Sequence, residues 1–287
     1  MPTTALLALL FLSLAEVSAQ IDQVTPAGQI NWAINTAPPF HIVQGDYKQQ
    51  GLCDELINTV HRYLPGLLKQ RQVLPQPRIG RALERSENLC FPCMIHKAQG
   101  EQGAVYSQPT HVYPPHHIIS HKKAAEQIKK KYPQPVSLAD LLADEDFNFG
   151  YPAGRRYGVL QPFIEGMDNR PGNRLIRSGD NGPIAILQMI SSQRLDYTVD
   201  YSFIKRYYEL TTGEQLALLA IAENHQQPVY GAIGCSNNAW GQSVIKQINQ
   251  VMPQIRSDDS LQQSLQFWFD NKNYSRFNRQ HLPAVKP

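Results

Sequence analysis

The sequence predicts an α/β protein of two lobes, with mainly parallel sheets flanked by helices and a ligand cleft between the lobes. Three observations predict it. Segments of two-residue alternation take turns with segments of helical spacing along the chain, the pattern of sheets whose strands are joined through crossover helices. That succession pauses and restarts near residue 137. A length of 287 residues accommodates two ordinary domains. In open sheets of this kind ligands collect beyond the carboxyl ends of strands, so the residues that follow each strand are the first candidates for a site.

Residues 29–35 (QINWAIN) alternate polar and apolar side chains and predict a strand. Pro38 and Pro39 end it, because proline cannot continue a ladder. Over 51–64, Leu52, Leu56, Ile57, Val60 and Leu64 recur at helical spacing; Asp54 and Glu55 open this helix and Pro65-Gly66 stops it. A second strand is expected at 72–74, a short helix at 81–86 and a buried apolar strand at 89–95. After the break at Pro114-Pro115, an extended run covers 117–120. Lys129, Lys130 and Lys131 adjoin Tyr132-Pro133 and read as a solvated loop.

Ser137 then caps a helical turn at 137–142 (SLADLL). A short strand at 147–150 delivers the chain to the stretch YPAGRRYG at 151–158. Ile184, Ile186, Leu187 and Ile190 predict a helix, and 195–199 alternates as a strand that ends at Asp200-Tyr201. Residues 216–222 suit a strand or a buried helix, and 229–235 another strand. Two helices close the chain. Trp240, Val244, Ile245, Ile248 and Val251 mark a face of one; Leu261, Leu265, Trp268 and Phe269 mark the other.

Composition narrows the function classes. A mean hydropathy of -0.38, without a late apolar run of spanning length, argues against an integral membrane protein. The net charge of +3, without a broad basic face interleaved with aromatics, argues against nucleic acid as a partner. The apolar run at 5–14, followed by Val17-Ser18-Ala19, has the layout of a secretory signal peptide covering 1–19. The expected location is therefore periplasmic.

Four cysteines, Cys53, Cys90, Cys93 and Cys235, form an even set with three possible pairings in an oxidising compartment. Cys90 and Cys93 also form a C-x-x-C. A redox centre wants its first cysteine at a helix N-terminus, whereas this one lies in an apolar strand pattern. His111, His116, His117 and His121 cluster around Pro114-Pro115, but His116 and His117 point to opposite faces of an extended segment and cannot both ligate one ion. They read as an exposed surface near the lobe crossing, and no metal or cofactor is expected.

The order of these segments resembles the type II periplasmic solute-binding proteins, specifically the amino-acid-type (family 3) binding proteins of ABC transporters. The opening strand, APPF at 37–40 and GLCDEL at 51–56 are similar to that family's first strand, aromatic loop and first helix. VYSQP at 105–109, SLADL at 137–141, LDYTVD at 195–200, NAWG at 238–241 and the helix through 265–269 continue the likeness in order over nearly all of the chain. The resemblance implies a discontinuous first lobe (20–120 and 223–287) and a central second lobe (121–222), hinged near Ser120 and Ala222. It also implies that Cys235 returns beside Cys90 and Cys93, favouring a Cys90–Cys235 disulfide.

Family members of the amino-acid type carry an arginine after the third strand that grips the ligand carboxylate in a bidentate fork. Here that stretch reads KAQGE at 97–101, where Lys97 offers only a point charge. Arg155 and Arg156 could reach in from the second lobe, presented with Tyr157 and backbone N–H groups at a helix start. Phe40 stacks on a ligand or closes the core. Asp200 accepts a ligand ammonium or caps the next helix, with Tyr201 beside it. Tyr106 and Ser107 read as structural.

The resemblance thus implies an exported protein that closes around a small polar or charged, amino-acid-like solute. It would act as a monomer and serve an ABC permease or a membrane sensor. Alternatives are an enzyme or regulatory module on the same scaffold, and a C-x-x-C redox protein. No G-x-S-x-G, H-E-x-x-H, P-loop or paired-carboxylate motif occurs.

Overall fold

The computed structural model describes residues 28–97, 103–166, 173–224, 228–272 and 274–284. The signal-peptide reading of 1–19 and most of the KAQGE stretch lie outside these residues.

The first sheet begins with β1 (Gln29–Ile34), α1 (Leu52–Tyr63), β2 (Leu68–Val73), α2 (Gln76–Glu84) and β3 (Cys90–Ile95). β1 pairs in parallel with β2 and β3. The short strands β4 (Ala104–Tyr106) and β5 (His111–Tyr113) follow. The chain then crosses to a second sheet through β6 (His116–Ser120), α3 (Lys122–Lys131), α4 (Leu138–Leu142), β7 (Phe149–Pro152), α5 (Gln161–Glu165), β8 (Arg174–Arg177), α6 (Gly182–Ser191), β9 (Tyr197–Tyr201), α7 (Ser202–Thr212) and β10 (Ala217–Ala220). It returns as β11 (Val229–Ser236) and ends in α8 (Ala239–Gln250), α9 (Met252–Ser257), α10 (Asp259–Trp268) and α11 (Tyr274–His281). The first sheet runs β2-β1-β3-β11-β4, with β5 also on β11; the second runs β10-β6-β9-β7-β8.

The sheets are mixed rather than mainly parallel. β1, β2 and β3 are mutually parallel, as are β7, β8 and β9, but β11 runs against β3 and β6 against β9. The crossings explain this. β6 enters the second sheet with His116 opposite Tyr201, at the carboxyl end of β9. β11 enters the first with Gly231 opposite Ile95, at the carboxyl end of β3. Both crossings therefore join carboxyl edge to carboxyl edge, so the strand ends that carry ligand chemistry face each other. β6 belongs to the second sheet, which moves the outward crossing from Ser120 to Pro114-Pro115, where proline ends a ladder. The return lies between Ile221 and Val229.

Periodicity places α1 well. Leu52, Leu56, Ile57 and Val60 are fully buried on one face, each worth about 1.5–3 kcal/mol relative to exposure. Asp54, in its first turn, accepts from the backbone N–H groups of Ile42 and Gly51 and pairs with His41 at 2.9 Å. Other boundaries move. α2 begins earlier, with Pro77 at a position whose N–H needs no helical partner. The lysine run closes α3 instead of forming a loop: Ala124, Ala125 and Ile128 bury one face, and the cations sit at the helix carboxyl end.

Two disulfides staple the first sheet. Cys53 of α1 joins Cys93 of β3, and Cys90 joins Cys235, its direct cross-strand neighbour. The Cys90–Cys235 pairing implied by the resemblance is thus present, and the C-x-x-C cysteines bond away from each other. The first sheet's core continues into α6 and α7 of the second. At the crossing, Tyr113, Tyr201, Phe203 and Phe269 form a stack with successive ring centroids 4.9–5.0 Å apart. Among the described residues no helix is long and apolar enough to cross a membrane.

Candidate functional site

Between the facing carboxyl edges lies a cavity of about 190 Å³, open on one side. Its wall draws on residues after β1 (Asn35, Phe40), after β3 (Lys97), after β7 (Arg155, Arg156) and at the end of β9 (Tyr201). The sheets are held close around it. The Asn181 N–H donates to Thr36 Oγ1 at 3.0 Å, and Thr36 Oγ1 donates to Asp180 Oδ1 at 3.4 Å. Gly154 has φ +75 and lies against Pro77, so a side chain there would be strained and would crowd α2.

Arg155 is the organising side chain. Its guanidinium lies 4.9 Å from the Phe40 ring centroid and 5.4 Å from that of Tyr201, a cation held over two aromatic faces. Phe40 belongs to the first sheet's side and Tyr201 to the second's, so this contact spans the cleft. Nη2 of Arg155 donates to Asp200 Oδ1. That oxygen also accepts from the Tyr201 N–H at 2.8 Å. The Nε of Arg155 and the Tyr201 hydroxyl are buried with no partner among the described residues.

Behind Tyr201 lies His116, its ring stacked at 3.9 Å. Burial, reinforced by Arg155 and His117, holds its imidazole well below the ordinary histidine range. His111 lies beside Tyr113 and is pushed down to about 3 by burial. These two histidines are core groups rather than an exposed surface, because the crossing they flank is where the two sheets' cores merge. Among the described residues no group of three or more His, Cys, Asp or Glu side chains is placed to hold a metal ion. Burial raises the Tyr113 and Tyr201 phenols, which stay neutral.

The structure brings Phe40, Lys97, Arg155, Arg156 and Tyr201 together around the cavity. Two sequence candidates stand elsewhere. Tyr157 is turned into the second sheet's core, against His116 and Tyr151. Asp200 is buried beneath Arg155, off the cavity wall; it does not cap α7, whose preceding residue makes no side-chain cap, and its Oδ1 is taken by Arg155 and the Tyr201 N–H. The backbone anion reading of 154–158 also changes: the Arg155 N–H donates to Pro152 O and the Tyr157 N–H to Gln161 Oε1. Those two N–H groups are thus engaged within the chain, while the Arg155 and Arg156 side chains reach the cavity wall. Phe40 is a core aromatic, 6% exposed, and it also lines the cleft.

Sequence reasoning missed Asn35, Gln76, Met94 and Tyr113 on the wall. Asn35 directly follows β1, so the strand-end rule itself could have found it. Tyr113 precedes Pro114-Pro115, and only the crossing's position reveals that it faces the other sheet. Tyr106 also lines the cavity, whereas Ser107 is structural, accepting from the Ile233 N–H at 3.0 Å.

No protein-family model matches the sequence, and no curated protein matches it. Solved structures do match in fold. An ancestral arginine-binding protein bound to arginine is 15% identical, over 85% of this chain and 100% of that one, at a TM-score of 0.60. A putative L-cystine ABC transporter protein from Listeria monocytogenes is 13% identical, over 88% and 100%, at 0.65. A histidine kinase sensor domain with similarity to periplasmic binding proteins is 13% identical, over 85% and 96%, at 0.62. The chain thus has the two-lobed α/β fold of type II periplasmic binding proteins.

Proposed function

We propose that this chain, built on the fold of periplasmic binding proteins, is an exported monomer that closes two lobes around a small polar or charged solute. It hands that solute to an ABC transporter or reports it to a membrane sensor, and does no chemistry of its own. The observation that carries this reading is Arg155: a charged side chain of one lobe packs on Phe40 of the other across a small cleft cavity. A ligand bound there touches both lobes at once, which is the differential contact that favours a closed state.

The lobes of this reading are the two sheets with their helices, the first discontinuous and completed by β11. Phe40, Lys97, Arg155, Arg156 and Tyr201 contact the solute, while Asp200 and Tyr157 support them from behind. Two of the similar structures bear on the choice between transport and sensing, one described as a transporter protein and one as a sensor domain.

A thermal-shift screen of the purified protein against amino acids, organic acids, polyamines and short peptides tests the reading. A solute at 100 times its dissociation constant adds about 2.7 kcal/mol of stability. Stabilisation by one solute class is the expected result. Stabilisation by none, or turnover of a compound, overturns it. Intact-mass measurement of the secreted protein checks export, with loss of residues 1–19 expected.

A further inference from the structure

We propose that one corner of this cleft is a binding box for an organic cation, a guanidinium or alkylammonium group, and that Arg155 is its built-in competitor. The proposal rests on the binding reading above and adds how that site is regulated.

The box has three walls, and none of them depends on Arg155. Tyr201 is fixed by stacked neighbours, with His116, Phe203 and Tyr113 at 3.9, 4.9 and 5.0 Å between ring centroids. Phe40 meets Phe203 edge-on at 5.1 Å. Asp200 is placed by the sheet, opposite His117 in the β6–β9 ladder, and its Oδ1 accepts from the Tyr201 N–H at 2.8 Å. The Phe40 and Tyr201 rings stand at 68° with centroids 6.2 Å apart. Two aromatic faces with a carboxylate beside them are the chemistry that recognises an organic cation, because ring quadrupoles and charge attract it together.

The occupant of this box belongs to the chain itself. The Arg155 guanidinium lies 4.9 Å from the Phe40 centroid and 5.4 Å from that of Tyr201, and pairs with Asp200 through Nη2. Three features mark it as a tethered occupant. Arg155 stands in a segment without regular structure after β7. It lines the cavity with its side chain 14% exposed, so the guanidinium has a way out. Its grip is also partial: both bonds to Asp200 fall on Oδ1 and leave Oδ2 unengaged, and Arg155 Nε has no partner among the described residues. A free guanidinium can face both carboxylate oxygens with two parallel bonds, a geometry Arg155 does not adopt.

Tethering offsets the poorer fit. A group on a short flexible link competes at an effective concentration of about millimolar. A solute meets the box only in the fraction of molecules whose Arg155 has swung away, and its apparent affinity falls by that fraction. The cleft therefore answers only to a cation that binds well enough, or is abundant enough, to displace the side chain.

Removing the side chain tests this, with ethylguanidinium, the severed Arg155 head, as probe and its neutral isostere ethylurea as control. By calorimetry at pH 7.5, Arg155→Ala should bind ethylguanidinium at least tenfold more tightly than the parent protein does, and should not bind ethylurea. Arg155→Ala/Asp200→Asn should lose that gain. No gain in Arg155→Ala, an equal gain for the urea, or a gain that survives loss of the carboxylate overturns the proposal. Should Arg155→Ala fold poorly with Asp200 unpaired, its refolding yield replaces calorimetry. A rise with ethylguanidinium and none with ethylurea is then expected, and no difference between the two overturns the proposal. If the variant gains no cation affinity while some solute stabilises the parent, the box falls and the binding reading stands. If no solute of any class stabilises the parent, the binding reading and the regulation built on it fall together, whatever the variant binds.

Discussion

Acidification from pH 7 to pH 5 should destabilise this protein by about 2 kcal/mol through His111 alone, with His116 adding in the same direction. His111 and His116 are each 1% exposed. Burial lowers His111 from 6.5 to about 3. It holds His116 well below 6.5, with Arg155 and His117 adding repulsion to its protonated form. The unfolded chain protonates both near 6.5, while the folded chain keeps both neutral. Groups depressed in the folded state contribute stability above the unfolded value and lose it as the pH falls towards the folded value. For His111, pH 5 lies about 1.5 units below the unfolded value, and one unit corresponds to about 1.4 kcal/mol. His111 thus contributes about 2 kcal/mol of loss, and His116 adds to it. His61, His96 and His117 are also lowered by burial and add in the same direction. Carboxylates remain largely ionised at pH 5, which isolates the histidines. Urea unfolding followed by tryptophan fluorescence at the two pH values measures the difference. A loss below about 1 kcal/mol would refute the reasoning. So would an equal loss in the His111→Asn/His116→Asn protein, whatever its stability at pH 7.

Three further outcomes follow from particular contacts. Asp200→Ala leaves the Arg155 guanidinium buried without its counter-ion and should cost about 3–5 kcal/mol, whereas Arg155→Met/Asp200→Leu should recover most of it; a urea double-mutant cycle shows whether the two sites are coupled. Removing Cys53–Cys93, which closes 40 residues, should cost about 4 kcal/mol, and removing Cys90–Cys235, which closes 145, about 5 kcal/mol, read as denaturation midpoints of paired Cys→Ala variants. Gly231→Ala places its methyl 2.3 Å from the His111 ring. It should cost about 1–3 kcal/mol by overpacking, and a melting temperature equal to that of the parent would contradict the packing described.

The strand-end rule carried most of the site, because the residue after a strand is visible wherever alternation stops. Phe40, Lys97, Arg155, Arg156 and Tyr201 were legible in this way. Asp200 was placed correctly at a strand end, but its ion pair with Arg155, 45 residues away, was not foreseen, because nothing local signals that pairing. Tyr157 failed for a related reason: adjacent residues of a loop point in different directions, and packing against His116 decides which one turns inward. In the fold, β2 escaped full recognition because it is an edge strand exposed on nearly every residue, without alternation to read. The antiparallel entry of β6 and β11 is invisible to periodicity, which reports a strand's faces but not its direction.

The return of β11 to the middle of the first sheet has a consequence for the order in which the chain can fold as it emerges from one end. β11 touches β3 on one side and β4 and β5 on the other, so the lobe whose residues emerge first cannot close until residue 236 has been made. The second sheet, by contrast, is complete in sequence by residue 220 and is ready to fold as soon as it emerges. For the whole interval Cys90 waits as an unpaired thiol with Cys53 and Cys93 as nearby wrong choices, and its partner Cys235 arrives only with the strand that completes the sheet. The central sheet is thus complete in sequence before the sheet built from both ends of the chain.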